Sequence, residues 1–155
     1  MDWHPSGRYL YGINELDSTV SVYRRLNENE LECIQSISTL PVDFVGNSTC
    51  ADIHVHPSGK FVYGSNRGHD SITGFSVDDE TGELSFIGSF STLGETPRNF
   101  AIVGQGDHVI AANQNTDNIV FFKVNKEKNG MPTNRPIHQW EVWENRGQLV
   151  YLTQA

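Results

Sequence analysis

Cysteine is scarce: the 155 residues hold two, Cys33 and Cys50. That is too few for a disulfide framework or a cysteine-based zinc site. Basic residues are also short, 11 lysines and arginines against 19 acidic residues, for a net charge of −8. This argues against a nucleic-acid surface, which needs a basic patch or stripe. It does not argue against a small anionic substrate, since such a site takes only a few local arginines. No apolar run approaches the roughly 18 residues that would cross a bilayer, so no membrane partner is expected. The opening residues, Met1-Asp2-Trp3-His4-Pro5, show no basic-then-apolar signal segment, and a cytoplasmic location is the expectation. There is no Gly-x-Ser-x-Gly elbow, Walker loop or His-Glu-x-x-His helix. Serine-nucleophile chemistry and helix-borne zinc have no support, and neither metal nor cofactor is expected.

What the chain does have is repetition. His4-Pro5-Ser6-Gly7-Arg8-Tyr9-Leu10-Tyr11-Gly12-Ile13-Asn14 returns as His56-Pro57-Ser58-Gly59-Lys60-Phe61-Val62-Tyr63-Gly64-Ser65-Asn66. A worn third copy runs from Val103 to Asn113. The repeated asparagines lie 52 and then 47 residues apart. A period near fifty filled with short strands marks propeller blades. The second repeat reads as four strands: an inner one through Asp52 to His56, then Phe61-Val62-Tyr63, Ser71 to Val77, and an outer one from Leu84 to Phe90. Pro57-Ser58-Gly59 and Asp78 to Gly82 supply turn chemistry between them. In the third repeat Asn129-Gly130 is a hairpin signal. No segment carries sustained helical periodicity, so the chain is all-β.

Closed propellers take roughly four to eight blades, and this chain holds three, at about 3–40, 50–92 and 97–132. It reads as a partial ring of four-stranded blades, residues 1–132. Residues 133–155, with Trp140, Trp143 and an apolar run from Leu149 to Leu152, follow no blade-like order and form an atypical tail, which either adds a strand from a neighbouring blade or is unrelated sequence. Open blade faces and sheet edges invite self-association.

Superimposing the repeats separates frame from site. Asn14, Asn66 and Asn113 share one place, and Asp17, Asp70 and Asp117 are read as sharing another; side chains of this type bond their own backbone in turns. His4 and His56 are explained by the turns they precede. The residue after each asparagine differs, however: Glu15, Arg67 and Gln114. One slot holding an acid, a base and an amide points to specialisation. Arg98 lies 15 residues before Asn113, where the second repeat has Ala51. In antiparallel strands the start of the first neighbours the end of the second, so Arg98 belongs beside Gln114 and Asp52 beside Arg67. With His54 and His69 these residues are expected to line one mouth of a propeller channel. A rim of solvated charges is the competing reading.

At Asn14-Glu15-Leu16-Asp17-Ser18-Thr19-Val20, Ser65-Asn66-Arg67-Gly68-His69-Asp70-Ser71-Ile72 and Thr96-Pro97-Arg98-Asn99-Phe100-Ala101-Ile102, the chain resembles the seven-bladed propeller lactonases. That family includes bacterial-type 6-phosphogluconolactonases and fungal carboxy-muconate lactonizing enzymes. The resemblance covers about residues 3 to 131 and fits the C-terminal half of such a protein. It implies metal-independent hydrolysis or closure of a small anionic lactone, with Glu15 in proton transfer and Arg67 in the same cleft, and Arg98 as a second cationic donor. The family's Pro-Arg-His before the strand at Trp3 is missing here, and its final strand pattern fails after Pro132. A truncated, inactive chain is therefore an expectation, and a non-enzymatic binding scaffold is the alternative, because a fold alone does not fix a function.

Overall fold

The computed structural model describes residues 1–125 and 130–141. Twelve strands form three separate four-stranded antiparallel sheets, each in sequence order from inner to outer edge. The first comprises β1 (Asp2–Trp3), β2 (Tyr9–Asn14), β3 (Thr19–Asn27) and β4 (Glu30–Ser38). The second comprises β5 (Thr49–Val55), β6 (Phe61–Arg67), β7 (Ser71–Val77) and β8 (Leu84–Ser91). The third comprises β9 (Pro97–Val103), β10 (His108–Asn113), β11 (Asn118–Val124) and β12 (Pro132–Glu141). Among the described residues there is no helix, hence none long and apolar enough to cross a membrane.

β12 gives part of the tail a place. Its backbone pairs with β11 from Val124 opposite Pro132 to Asn118 opposite Glu141, so the third blade runs past the boundary drawn at 132. Sequence pattern missed it for a physical reason. Pro132 and Pro136 cannot donate to a ladder, are tolerated only on an edge strand, and coincide with breaks in register. Asn129, Trp143 and the run from Leu149 to Leu152 lie outside the described residues.

Period-two alternation sends the apolar side chains between sheets. Tyr11, Val20, Val22, Ile53, Val62, Phe75 and Leu84 fill the space between the first and second blades. Tyr63, Ile72, Phe90, Phe100, Val109, Val120 and Phe122 fill that between the second and third. At about 25 cal/mol per Å² of apolar surface, each such side chain contributes roughly 1.5–3 kcal/mol.

Two repeated hydrogen bonds fasten one blade to the next. Each repeat histidine donates forward from Nε2 to a turn carbonyl, His4 to Gly59 O and His56 to Gly106 O, both at 3.0 Å. The proton is assigned to Nε2 because Nδ1 accepts the amide of Ser6 or Ser58 at 3.1 Å. Each repeat tyrosine does the same toward the far hairpin, Tyr11 to Gly82 O at 3.0 Å and Tyr63 to Gly130 O. Gly82 and Gly130 hold φ of 76° and 67°, the left-handed region that glycine enters at least cost. In the worn third repeat Val103 and Ile110 stand in the histidine and tyrosine places, so these forward bonds stop there.

The repeated asparagines are structural. Asn66 is fully buried; its Oδ1 accepts from Thr39 Oγ1 at 2.6 Å and Cys50 Sγ at 3.3 Å, and its Nδ2 donates to Thr39 O at 3.1 Å and to the Ser71 and Thr73 hydroxyls. The aspartate alignment needs correcting. Ser18, not Asp17, matches Asp70 and Asp117, with φ of 50°, 51° and 48°. These residues turn the chain between second and third strands, and two of them hold the connection to the next blade, through Ser18 Oγ to Ser48 O at 3.0 Å and Thr96 N to Asp70 Oδ1 at 2.8 Å. Their left-handed backbone is what short polar side chains tolerate.

Candidate functional site

The mouth is built where second strands end and first strands begin. Glu15 follows β2 and Arg67 ends β6. The two side chains meet across the blade boundary as an ion pair through Arg67 Nη2. The same nitrogen donates to Cys50 O at 2.9 Å, and the amide of Cys50 donates to Glu15 O at 2.8 Å. Cys50 thus fixes both partners through its backbone. Burial raises the pKa of its thiol, which serves as a donor to Asn66. Arg67 is 17% exposed at its side chain and Glu15 64%, so the carboxylate is the accessible member. Ser48 Oγ donates to Arg67 O at 3.0 Å and steadies the strand end.

Arg98 occupies the next blade's strand start. A bulge sets it out of the ladder: Pro97 faces Asn113 and Asn99 faces Ala112, leaving Arg98 unopposed. The same irregularity falls between Cys50 and Ile53 in β5, where Asp52 N donates instead to Ser65 Oγ at 3.1 Å. Bulges of this kind re-aim side chains at strand ends. Arg98 Nη1 donates to Gln114 Oε1 at 3.4 Å, joining the two residues placed together by the repeat.

Asp52 and His54 lie on β5, and no hydrogen bond or ion pair among the described residues joins them to Glu15 or Arg67. At about 3.3 Å per residue a strand carries later positions away from its start. Asp52 Oδ2 takes His54 Nε2 at 3.1 Å, Asn99 Nδ2 at 2.8 Å and the Phe100 amide at 3.3 Å, and its Oδ1 takes the Ile53 amide at 2.9 Å. Asp2 of β1 lies 4.0 Å from His54 Nδ1 and accepts the Val55 amide at 2.8 Å. Three inner strands are thereby tied together. The hydrogen bond to Asp52 raises the pKa of His54, with the charges of Asp52 and Asp2 adding to it against burial. Burial pushes Asp52 up, but the hydrogen bond and charge of His54, with the Phe100 and Ile53 amides, outweigh it and leave the pKa low. Asp52 has its acceptors committed and acts as a staple.

His69 stands apart again. Its Nδ1 contacts Ser71 Oγ at 2.6 Å, and its ring meets Phe44 edge-on at 4.7 Å. Phe44 belongs to the connection between β4 and β5, which sequence reasoning passed over, as it did Ser48 and the backbone of Cys50. Asn99 was also missed, although it lies 14 residues before Asn113, as Asp52 does before Asn66. No group of three or more His, Cys, Asp or Glu side chains suited to a metal ion occurs among the described residues.

Three four-stranded antiparallel sheets in sequence order, each packed face to face on the next, have the build of consecutive β-propeller blades. The model of the family Lactonase, 7-bladed beta-propeller, matches residues 1–136, and the chain belongs to that family. It is 45% identical over 123 residues to a 6-phosphogluconolactonase of Formosa agariphila, covering 78% of this chain and 34% of that protein. It is 40% identical over 126 residues to a 6-phosphogluconolactonase of Bacillus subtilis, covering 81% and 36%. The solved periplasmic gluconolactonase of Pseudomonas aeruginosa superimposes with a TM-score of 0.84 at 30% identity, over 90% of this chain and 38% of that one. The chain spans about a third of the length of the curated relatives it matches.

Proposed function

We propose that this chain supplies part of the catalytic mouth of a propeller lactonase that opens a small sugar-acid lactone such as 6-phosphogluconolactone. The observation carrying this reading is the Glu15–Arg67 pair, an accessible carboxylate held by a mostly buried guanidinium across a blade boundary. Glu15 takes the proton of an attacking water, the water oxygen bonds to the lactone carbonyl carbon, and Arg67 donates to the oxygen that gains charge. The ring C–O bond then breaks, and the proton returns to the departing alkoxide, giving the open hydroxy acid. The names of relatives support the substrate class.

Two unbridged cysteines, Cys33 exposed and Cys50 buried, support a cytoplasmic location, which cell fractionation tests. A pH-stat assay of 6-phosphogluconolactone opening by the 155-residue chain, against the spontaneous rate, tests the activity. Turnover abolished by Glu15→Gln supports the reading; turnover unchanged by it removes Glu15 as the proton-transfer group. Turnover at the spontaneous rate would mean that the blades described here do not suffice alone. The scaffold alternative draws on exposed apolar residues at the same end of the sheets, Leu16 at 82%, Val42 at 107% and Val45 at 95%. It requires protein or carbohydrate binding without turnover.

A further inference from the structure

The two arginines of the mouth differ in electrostatic state. Arg67 is largely buried and already shared between a carboxylate and a carbonyl. Arg98 is exposed and, among the described residues, its guanidinium meets only the neutral amide oxygen of Gln114, at the long limit of a hydrogen bond. No carboxylate pairs with it among the described residues, although acidic side chains outnumber basic ones by 19 to 11. The slot beside it holds Gln114 where the first blade holds Glu15, so its charge is left unquenched.

Its position is nevertheless fixed. The residue that follows it, Asn99, is bound to Asp52 Oδ2 at 2.8 Å, and the Phe100 amide to the same oxygen at 3.3 Å. This anchors the start of β9 against β5, whose Cys50 carbonyl receives Arg67. Arg67 at the end of β6 and Arg98 at the start of β9 therefore present two guanidinium groups from neighbouring blades, one paired with a carboxylate and one not. A ligand suited to this arrangement carries its acyl group at Glu15 and Arg67 and a separate anion toward Arg98.

We propose that Arg98, oriented by Gln114, is the specificity residue that recognises a phosphoryl group and so distinguishes a phosphorylated sugar-acid lactone from an unphosphorylated one. This rests on the lactonase reading for the acyl end of the ligand. A planar guanidinium with uncommitted donors can take two phosphate oxygens together. The neutral hydroxyl of an unphosphorylated sugar offers it no comparable charge-assisted bond.

The test is calorimetric titration of the 155-residue chain with 6-phosphogluconate, gluconate and inorganic phosphate. The unmodified chain is expected to bind 6-phosphogluconate about tenfold to a hundredfold more tightly than gluconate, the span of hydrogen bonds to charged groups. Arg98→Gln is expected to abolish that preference while leaving gluconate affinity within about twofold. Gln114→Glu, which places a carboxylate beside Arg98, is expected to do the same. A preference unchanged in Arg98→Gln overturns the assignment, as does failure of the unmodified chain to bind 6-phosphogluconate. Phosphate binding lost in Arg98→Gln, with gluconate affinity indifferent to Arg67→Gln, would keep the phosphoryl site and remove the lactone reading.

Discussion

Glu15 and Arg67 belong to different blades, yet each is fixed by the same residue: the Cys50 amide holds Glu15 O at 2.8 Å and the Cys50 carbonyl takes Arg67 Nη2 at 2.9 Å. Glu15 is placed through its backbone carbonyl, whereas Arg67 is held through its guanidinium, so the Glu15 side chain can be replaced without loosening the strand connection. A double-mutant cycle with Glu15→Gln and Arg67→Gln, followed by chemical denaturation, is expected to give a coupling below about 1 kcal/mol, because Glu15 is mostly solvated. Loss of proton transfer in Glu15→Gln should lower any lactone turnover by roughly 10²–10⁴-fold. Severe unfolding in either single mutant would instead make the pair structural.

The Asp52–His54 staple predicts how stability depends on pH. His54 has a raised pKa, so its contribution is full below the ordinary imidazole value of about 6.5 and is lost as pH rises through the higher folded value. Asp52 has a lowered pKa, so its contribution is full above the ordinary carboxylate value of about 3.9 and is lost as pH falls through the folded value. Urea midpoints measured from pH 3 to pH 9 should therefore peak on the mildly acidic side. His54→Gln should flatten the alkaline fall; an unaltered profile would show that the staple contributes nothing.

The forward histidines should differ in weight. His56 is 2% exposed and stands in T-shaped contact with Phe61 and Tyr63, whereas His4 is only partly buried. His56→Ala is expected to cost about 1–3 kcal/mol, from a buried carbonyl left unpaired and lost packing. His4→Ala should cost less. Equal effects in thermal unfolding would contradict the burial argument.

Among the asparagines, Asn66 should matter most. It satisfies both its acceptor and its donors, while Asn113, 3% exposed, leaves Oδ1 without a partner. Its neighbour there is Pro97, with no donor to offer, where Asn66 has Cys50. Asn66→Ala is expected to destabilise by about 3 kcal/mol and Asn113→Ala by about 1 kcal/mol, read from denaturation midpoints.

The first and third blades each present one face to no other described blade, and their outer strands β4 and β12 are sheet edges. Such edges and faces favour association. Light scattering behind a sizing column is expected to show dimers or larger species of the 155-residue chain; a monodisperse monomer would show the open faces to be tolerated in water.

The sequence by itself determined the repeat, the all-β class, the inner-to-outer strand order and the slot that holds Glu15, Arg67 and Gln114. These follow from local rules, since period-two alternation and Pro, Gly and Asx turn chemistry act over a few residues. Tertiary structure alone decided which side chains meet. It joined Asp52 to Asn99 and Phe100 of the next blade and not to Arg67, because the bulge between Cys50 and Ile53 sets where Asp52 falls along β5. It substituted Ser18 for Asp17, because the left-handed φ belongs to a place in the turn and not to a residue type. It made an edge strand of residues 132–141, whose prolines erase the alternation that would have announced it. It also turned two repeat histidines, read as turn residues, into bonds between blades, because their acceptors lie 55 and 50 residues away in sequence and become neighbours only when one sheet packs upon the next.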